Sequence, residues 1–228
     1  MGQNIKVVLL AGGFGTRLSE YTKTIPKPMV NVNGEPIIMH IMKSYAKYGF
    51  KNFYIALGYK GEVIKKFFNK NFFDWKINLI DTGEKTMTGG RLKRLTKYIG
   101  NETFMMTYGD GISNVNLTNL LKFHKRNKKM VTLTAVRPPA RFGVLKIKGN
   151  NVSYFKEKSK TDVGWINGGF FIMEAKFLDL IKDDMTYLER EPLEHVCKSK
   201  NLCAYKHNGF WQCVDTKRDL EKLKKIIK

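Results

Sequence analysis

Ile5-Lys6-Val7-Val8-Leu9-Leu10-Ala11-Gly12-Gly13-Phe14-Gly15-Thr16-Arg17-Leu18 is the stretch on which the fold turns. Its first half is a continuous aliphatic, β-branched run. Such a run predicts a strand covered on both faces, as in a parallel sheet with helices on either side. Its second half places three glycines where that strand ends. Without a Cβ, backbone N–H groups can approach a phosphate closely. The loop is not a Walker A loop, which needs Gly-Lys-Ser/Thr after four intervening residues. Nor is it a complete dinucleotide fingerprint, because Leu18 stands at the third glycine position. A tight strand-to-helix turn would use the same glycines. The cations that follow, Arg17, Lys23 and Lys27, favour phosphate.

Outward from this loop the pattern alternates. Helical periods at 36–48, 62–68, 91–99 and 117–128 separate strand-like runs at 53–57, 77–80, 103–108 and 131–136. Strands alternating with helices predict an α/β fold with a parallel sheet whose strand carboxyl ends share one edge, where ligands bind. After Arg137-Pro138-Pro139 the pattern changes. Runs at 144–147 and 152–155 meet at Gly149-Asn150-Asn151, as in a hairpin. A strand at 166–173, helical stretches near 177–181 and 193–197, a strand at 203–206 and a helix from Thr216 complete the reading. No internal repeat or linker interrupts it, so 1–228 reads as a single domain.

Composition limits the classes. The chain has 228 residues, 43% of them hydrophobic, and a net charge of +21. It is too apolar for a disordered chain, so the charge sits on a folded surface. Such a charge is the footprint of a nucleic-acid binder. Yet the excess is 33 Lys against 8 Arg, spread along the chain, and base-edge recognition favours arginine. No nucleic-acid motif accompanies it, and no nucleic-acid partner is expected. Three cysteines, Cys197, Cys203 and Cys213, without a C-x-x-C, fit reduced thiols. With no apolar run of membrane or signal-peptide length, the expectation is a cytoplasmic protein with no membrane partner.

Three further motifs carry chemistry. In Ile25-Pro26-Lys27-Pro28-Met29 the prolines restrict the backbone around Lys27 and bias it to extended geometry. A stiffened lysine suits a polyphosphate. In Tyr108-Gly109-Asp110-Gly111, at a strand end, a carboxylate between glycines is placed to ligate Mg²⁺. Asp215, before Thr216, is either a second ligand or merely the N-cap of the last helix.

Taken together, the loop from Leu10 to Leu18, Lys27 in its proline frame, Asp110, Glu157-Lys158, Asn167-Gly168-Gly169 and Asp215 resemble the sugar-1-phosphate nucleotidyltransferases. Met87-Thr88-Gly89-Gly90-Arg91-Leu92-Lys93-Arg94, Arg141-Phe142-Gly143 and Gly209-Phe210-Trp211-Gln212 are most similar to the family's cytidylyl-transferring branch. The resemblance implies a Rossmann-like, mostly parallel sheet flanked by helices, with a small β-ribbon annex for the sugar. Residues 1–136 would form the nucleotide-binding half and 137–228 the sugar-phosphate half. It implies CTP and glucose 1-phosphate as substrates and CDP-glucose and pyrophosphate as products, with Mg²⁺ as cofactor. The product would serve surface-polysaccharide synthesis. Leu10, Ala11, Gly12, Gly13, Phe14, Gly15, Thr16 and Arg17 would hold the triphosphate, with Arg17 at its β/γ end, Lys27 at the α-phosphate and Gly109 close by. Thr86, Gly90 and Arg91 would lie near base and ribose. Asp110 and Asp215 would hold the metal. Lys158 would bind the sugar phosphate, and Gly143, Glu157, Asn167 and Gly168 would line the sugar site. Arg17, Lys27, Asp110 and Lys158 would be the catalytic residues. The resemblance leaves a homo-oligomer open, and sister thymidylyl or uridylyl transfer as an alternative.

Overall fold

The computed structural model describes residues 4–71, 73–138, 143–157 and 164–227. Seven strands form one sheet: β1 (Lys6–Leu10), β2 (Asn52–Leu57), β3 (Lys76–Asp81), β4 (Phe104–Tyr108), β5 (Val131–Val136), β6 (Ile166–Met173) and β7 (Leu202–His207). Their order is β7-β5-β6-β4-β1-β2-β3. Only β6 runs against the others, pairing antiparallel with both β4 and β5. That reversal matters for the site. It brings the start of β6, with Asn167 and Gly168, to the edge where the parallel strands end.

Alternation within each strand builds two cores. Val7 and Leu9 face one layer while Val8 and Leu10 face the other, and all four are buried. The first layer is covered by helices α1 (Ile37–Ala46), α2 (Gly61–Lys70), α4 (Leu117–Asn127) and α6 (Lys217–Ile226). The second is covered by α3 (Thr88–Lys93), α5 (Glu191–Lys198) and the turns around Phe177. The α1 stripe of Ile37, Ile38, Ile41, Met42 and Tyr45 is almost wholly buried, as its helical spacing requires. The expected mostly parallel sheet flanked by helices is therefore present.

Some local expectations change. The period at 91–99 is two short helices, Thr88–Lys93 and Thr96–Ile99. The Leu95 N–H bonds Leu92 rather than Arg91, which tightens the turn while Leu92, Leu95 and Ile99 stay buried. The stretch near 177–181 is a 3₁₀ segment, Ala175–Leu180. The hairpin at Val144–Lys148 and Asn151–Lys156 is present. Two small antiparallel pairs had no periodic signal, being two or three residues per strand: Asn31–Val32 with Glu35–Pro36, and Gly111–Ser113 with Trp211–Cys213. Among the described residues no helix is long and apolar enough to cross a membrane.

Candidate active site

The glycine loop leaves β1 at the ligand edge. Gly15 has φ +64, a left-handed conformation open to glycine. A Cβ there would also press on Thr22 and Lys27, at 2.9 and 3.1 Å. Beyond it lie only a 3₁₀ turn, Thr16–Leu18, and a single helical turn, Ser19–Thr22. So short an element adds little dipole, and anion attraction falls to the loop amides and to side-chain cations.

Arg91 underpins the loop from below. Its Nη2 donates to the carbonyls of Gly12 (2.8 Å) and Glu84 (2.9 Å). Its Nη1 donates to the Leu57 and Gly83 carbonyls and to Thr82 Oγ1. These acceptors cluster where β1, β2 and β3 end, and their oxygens would repel an incoming polyphosphate. The guanidinium offsets them. Burial, and then Arg94, lowers its pKa, but an arginine starts so high that the charge remains. A Cβ on Gly12 or Gly58 would fall 2.2 Å from Arg91 Nη1, so these glycines make room for the guanidinium.

Lys27 sits at the centre. Pro26 is extended, but Lys27 itself begins a 3₁₀ turn rather than continuing extended. The Met29 N–H to the Pro26 carbonyl, at 2.8 Å, closes that turn and outweighs the pre-proline bias. Pro28 then packs beneath Gly109, where a Cβ would come within 2.8 Å of its ring. The Lys27 ammonium donates to Asp110 Oδ2 at 2.7 Å and to Asp215 Oδ1 at 2.8 Å. Arg17 Nη1 donates to Asp215 Oδ2 at 2.9 Å. Burial alone would lower the Lys27 pKa; Asp110 and Asp215 outweigh burial and raise it.

The two aspartates meet because Gly111–Ser113 pairs with Trp211–Cys213, Gly111 opposite Cys213. The Val214 N–H to the Asp110 carbonyl, at 3.0 Å, extends the contact. The helix cap falls to Thr216 rather than Asp215, in a capping box with Asp219. Asp215 is thereby left to face Lys27 and Arg17. Ligand atoms of Asp110, Asp215 and Cys213 lie within 4.8 Å of one another. Burial, then Asp110, pushes the Cys213 thiol pKa up, so the thiol stays protonated.

Two cavities flank this cluster. One, of about 340 Å³, is lined by 10–17, Lys27, Thr86, Arg91, Gly109 and Asp110. The other, of about 360 Å³, is lined by Asn167, Gly168, Trp211 and Asp215. Arg17, Tyr108 and Asp110 belong to both. The Tyr108 hydroxyl donates to Glu189 Oε1, and Thr88 Oγ1 donates to Glu189 Oε2. Burial, then Glu189, raises the Tyr108 pKa well above its usual value, so the phenol stays neutral. Gly90 packs against Asp184, where a Cβ would fall 2.4 Å from the carbonyl oxygen, instead of lining the first cavity. Gly143 and Glu157 face each other but line neither cavity; a Cβ on the glycine would fall 2.9 Å from Glu157 Oε2. Lys158, Arg141 and Phe142 lie outside the described residues.

Residues 6–227 match the family model described as nucleotidyl transferase. The chain belongs to the nucleotidyl transferase family. A glucose-1-phosphate cytidylyltransferase of Salmonella typhimurium is 45% identical, over 94% of this chain and 93% of that one. A probable glucose-1-phosphate cytidylyltransferase of Bacillus subtilis is 40% identical, over 97% and 96%. A crystal structure of HddC from Yersinia pseudotuberculosis, complexed with GMP-PN, has a TM-score of 0.78 and 26% identity, covering 98% of this chain and all of that one.

In this nucleotidyl transferase the site holds residues to which the sequence reading assigned no role. Tyr187 lines the first cavity, Glu189 and Cys213 the second, and Tyr108 divides the two. Tyr108 opens the Tyr108-Gly109-Asp110-Gly111 motif without a role of its own there, and Cys213 directly follows Gly209-Phe210-Trp211-Gln212. Tyr187 and Glu189 arrive from a stretch without periodicity, and no local signal marks them.

Proposed function

We infer that this chain joins CTP to α-D-glucose 1-phosphate, giving CDP-glucose and pyrophosphate. One observation carries the reading. A cavity walled by a glycine loop adjoins a second cavity, and Lys27, Arg17, Asp110 and Asp215 meet where they join. The names and coverage of the cytidylyltransferase relatives support the choice of base and sugar.

The sugar phosphate oxygen attacks the α-phosphorus in line, the bond to the β-phosphate oxygen breaks, and pyrophosphate leaves with the electron pair. The attacking oxygen is already anionic and pyrophosphate leaves as an anion, so no side chain has to carry a proton. Catalysis is then positioning and charge stabilisation. The loop amides and Arg17 hold the β- and γ-phosphates. Lys27, brought to the junction by its proline frame, faces the α-phosphate, and the triphosphate offers both cations a more highly charged partner than a carboxylate. Asn167 and Gly168 line the sugar side, and Lys158 would bind the phosphate of the sugar phosphate.

The carboxylate pair fits Mg²⁺, which prefers hard oxygen donors, and the soft Cys213 sulfur would stay outside its shell. At Asp110 and Asp215, Mg²⁺ would supply Lewis-acid polarisation of phosphate oxygens. We further propose that the CDP-glucose serves surface-polysaccharide synthesis.

Pyrophosphate release with glucose 1-phosphate, Mg²⁺ and each nucleoside triphosphate in turn tests the reading. CTP is expected to support release. Release with UTP or dTTP but not CTP would move the protein to a sister activity.

A further inference from the structure

Two large side chains lining the nucleotide cavity stand open to it: Phe14, 43% exposed, and Tyr187, 40% exposed. Phe14 leans on Tyr59, ring centroids 5.2 Å apart. The Arg190 guanidinium lies 4.4 Å from the Tyr187 ring centroid. Tyr187 is not carried by a loose loop. The Met87 N–H bonds the Asp184 carbonyl at 2.8 Å, the Gly89 N–H bonds the Thr186 carbonyl at 3.0 Å, and the Leu188 N–H bonds Thr88 Oγ1 at 3.0 Å. Arg94 pairs with Asp184. Both backbone neighbours of Tyr187 are thus tied to the start of α3, and the ring is delivered to a fixed place beside Met87 and Thr88.

That place is the stretch of wall where Thr86, Met87, Thr88 and Tyr187 line the first cavity and not the second. Arg17 and Lys27 gather at the junction with the second cavity, and the triphosphate has to lie there. What remains beside Thr86, Met87 and Thr88 is a wall that offers an aromatic face, and its neighbouring cations are engaged, Arg91 with backbone carbonyls and Arg190 over the Tyr187 ring. We propose that Tyr187 receives the base of the bound nucleotide, its ring stacking on the pyrimidine with Arg190 backing it. The inference rests on the nucleotide-cavity reading above and adds a base-side residue to it.

Calorimetry on the whole protein with Mg²⁺ and no sugar phosphate tests this, using CTP and inorganic tripolyphosphate as separate probes. Tyr187→Ala is expected to weaken CTP about tenfold or more, in line with the loss of one base–aromatic stack, and to leave tripolyphosphate within about twofold. Tyr187→Phe, which keeps the ring, is expected to bind CTP as the wild type does. Unchanged CTP affinity in Tyr187→Ala overturns the proposal. So does an equal loss of both probes, which would mean that the side chain acts through the fold. If the wild type prefers another nucleoside triphosphate, the cytidylyl reading fails while the same comparison, run with that nucleotide, still decides the role of Tyr187.

Discussion

Lys27 and Asp110 form an ion pair of 2.7 Å between a nearly buried ammonium and a carboxylate at the end of β4. The contact joins the loop after β1 to the turn after β4, and Asp215 closes it from the C-terminal half. Both acids are candidate metal ligands, so one lysine holds apart, as cation, the charges that a metal ion would otherwise hold.

Replacing Lys27 by Met should therefore separate two effects. Turnover should fall on the order of 10²–10³-fold, the cost of one preorganised electrostatic group. Affinity of the nucleotide-free protein for Mn²⁺, measured by calorimetry, should rise, because no ammonium competes for the carboxylates. The pH dependence has a definite sign. The folded pKa of Lys27 is raised above 10.5, so its contribution to stability is fully present below about pH 10.5 and is lost only as pH climbs through the raised value. The stability gap between wild type and Lys27→Met should stay flat over roughly pH 6–9. A gap that closes within that range would refute the assignment.

Asp110→Asn keeps the shape of the turn and removes one negative charge. A drop in kcat on the order of 10²–10³-fold is expected from steady-state pyrophosphate release, with CTP and glucose 1-phosphate as substrates. Near wild-type turnover would remove Asp110 from the site.

Gly58 tests the Arg91 underpinning. The three atoms nearest a Cβ at Gly58 all belong to the Arg91 guanidinium, with Nη1 at 2.2 Å. Gly58→Ala should cost on the order of 2 kcal/mol by overpacking. Arg91→Ala should cost on the order of 3 kcal/mol, because it strands buried acceptors. In the Arg91→Ala background the Gly58→Ala cost should fall to about 0.5 kcal/mol or less. Urea denaturation of the four proteins gives the cycle, and simple additivity would contradict the packing argument.

Thr216→Ala removes the cap of α6 and loosens the residue next to Asp215. Stability should drop by about 1 kcal/mol. Because Asp215 precedes the cap directly, turnover should fall as well, whereas an ordinary surface cap would leave it unchanged.

The alternation of buried runs and helical periods, written into Lys6–Leu10 and its successors, already determined the α/β class, and local chemistry marked Gly12, Gly13, Gly15, Lys27 and Asp110. Short-range pattern suffices there, because burial on both faces and a turn without Cβ atoms are properties of neighbouring residues. The partner of Asp110 was less legible. Asp215 reads equally as a cap until the ribbon of Gly111–Ser113 and Trp211–Cys213 shows that Thr216 is the cap and Asp215 faces Lys27. Arg91 looks like a ligand contact in the sequence, and only packing shows that five acceptors already engage it. Tyr187 and Glu189 had no signal, since a segment without periodicity is placed by the backbone bonds it makes to α3. The sequence by itself determined which groups could meet a phosphate. The tertiary structure alone decided which acids face one lysine and which ring stands over the cavity, because a contact between distant residues depends on sheet order and on the one reversed strand, β6, and neither is written in any local run.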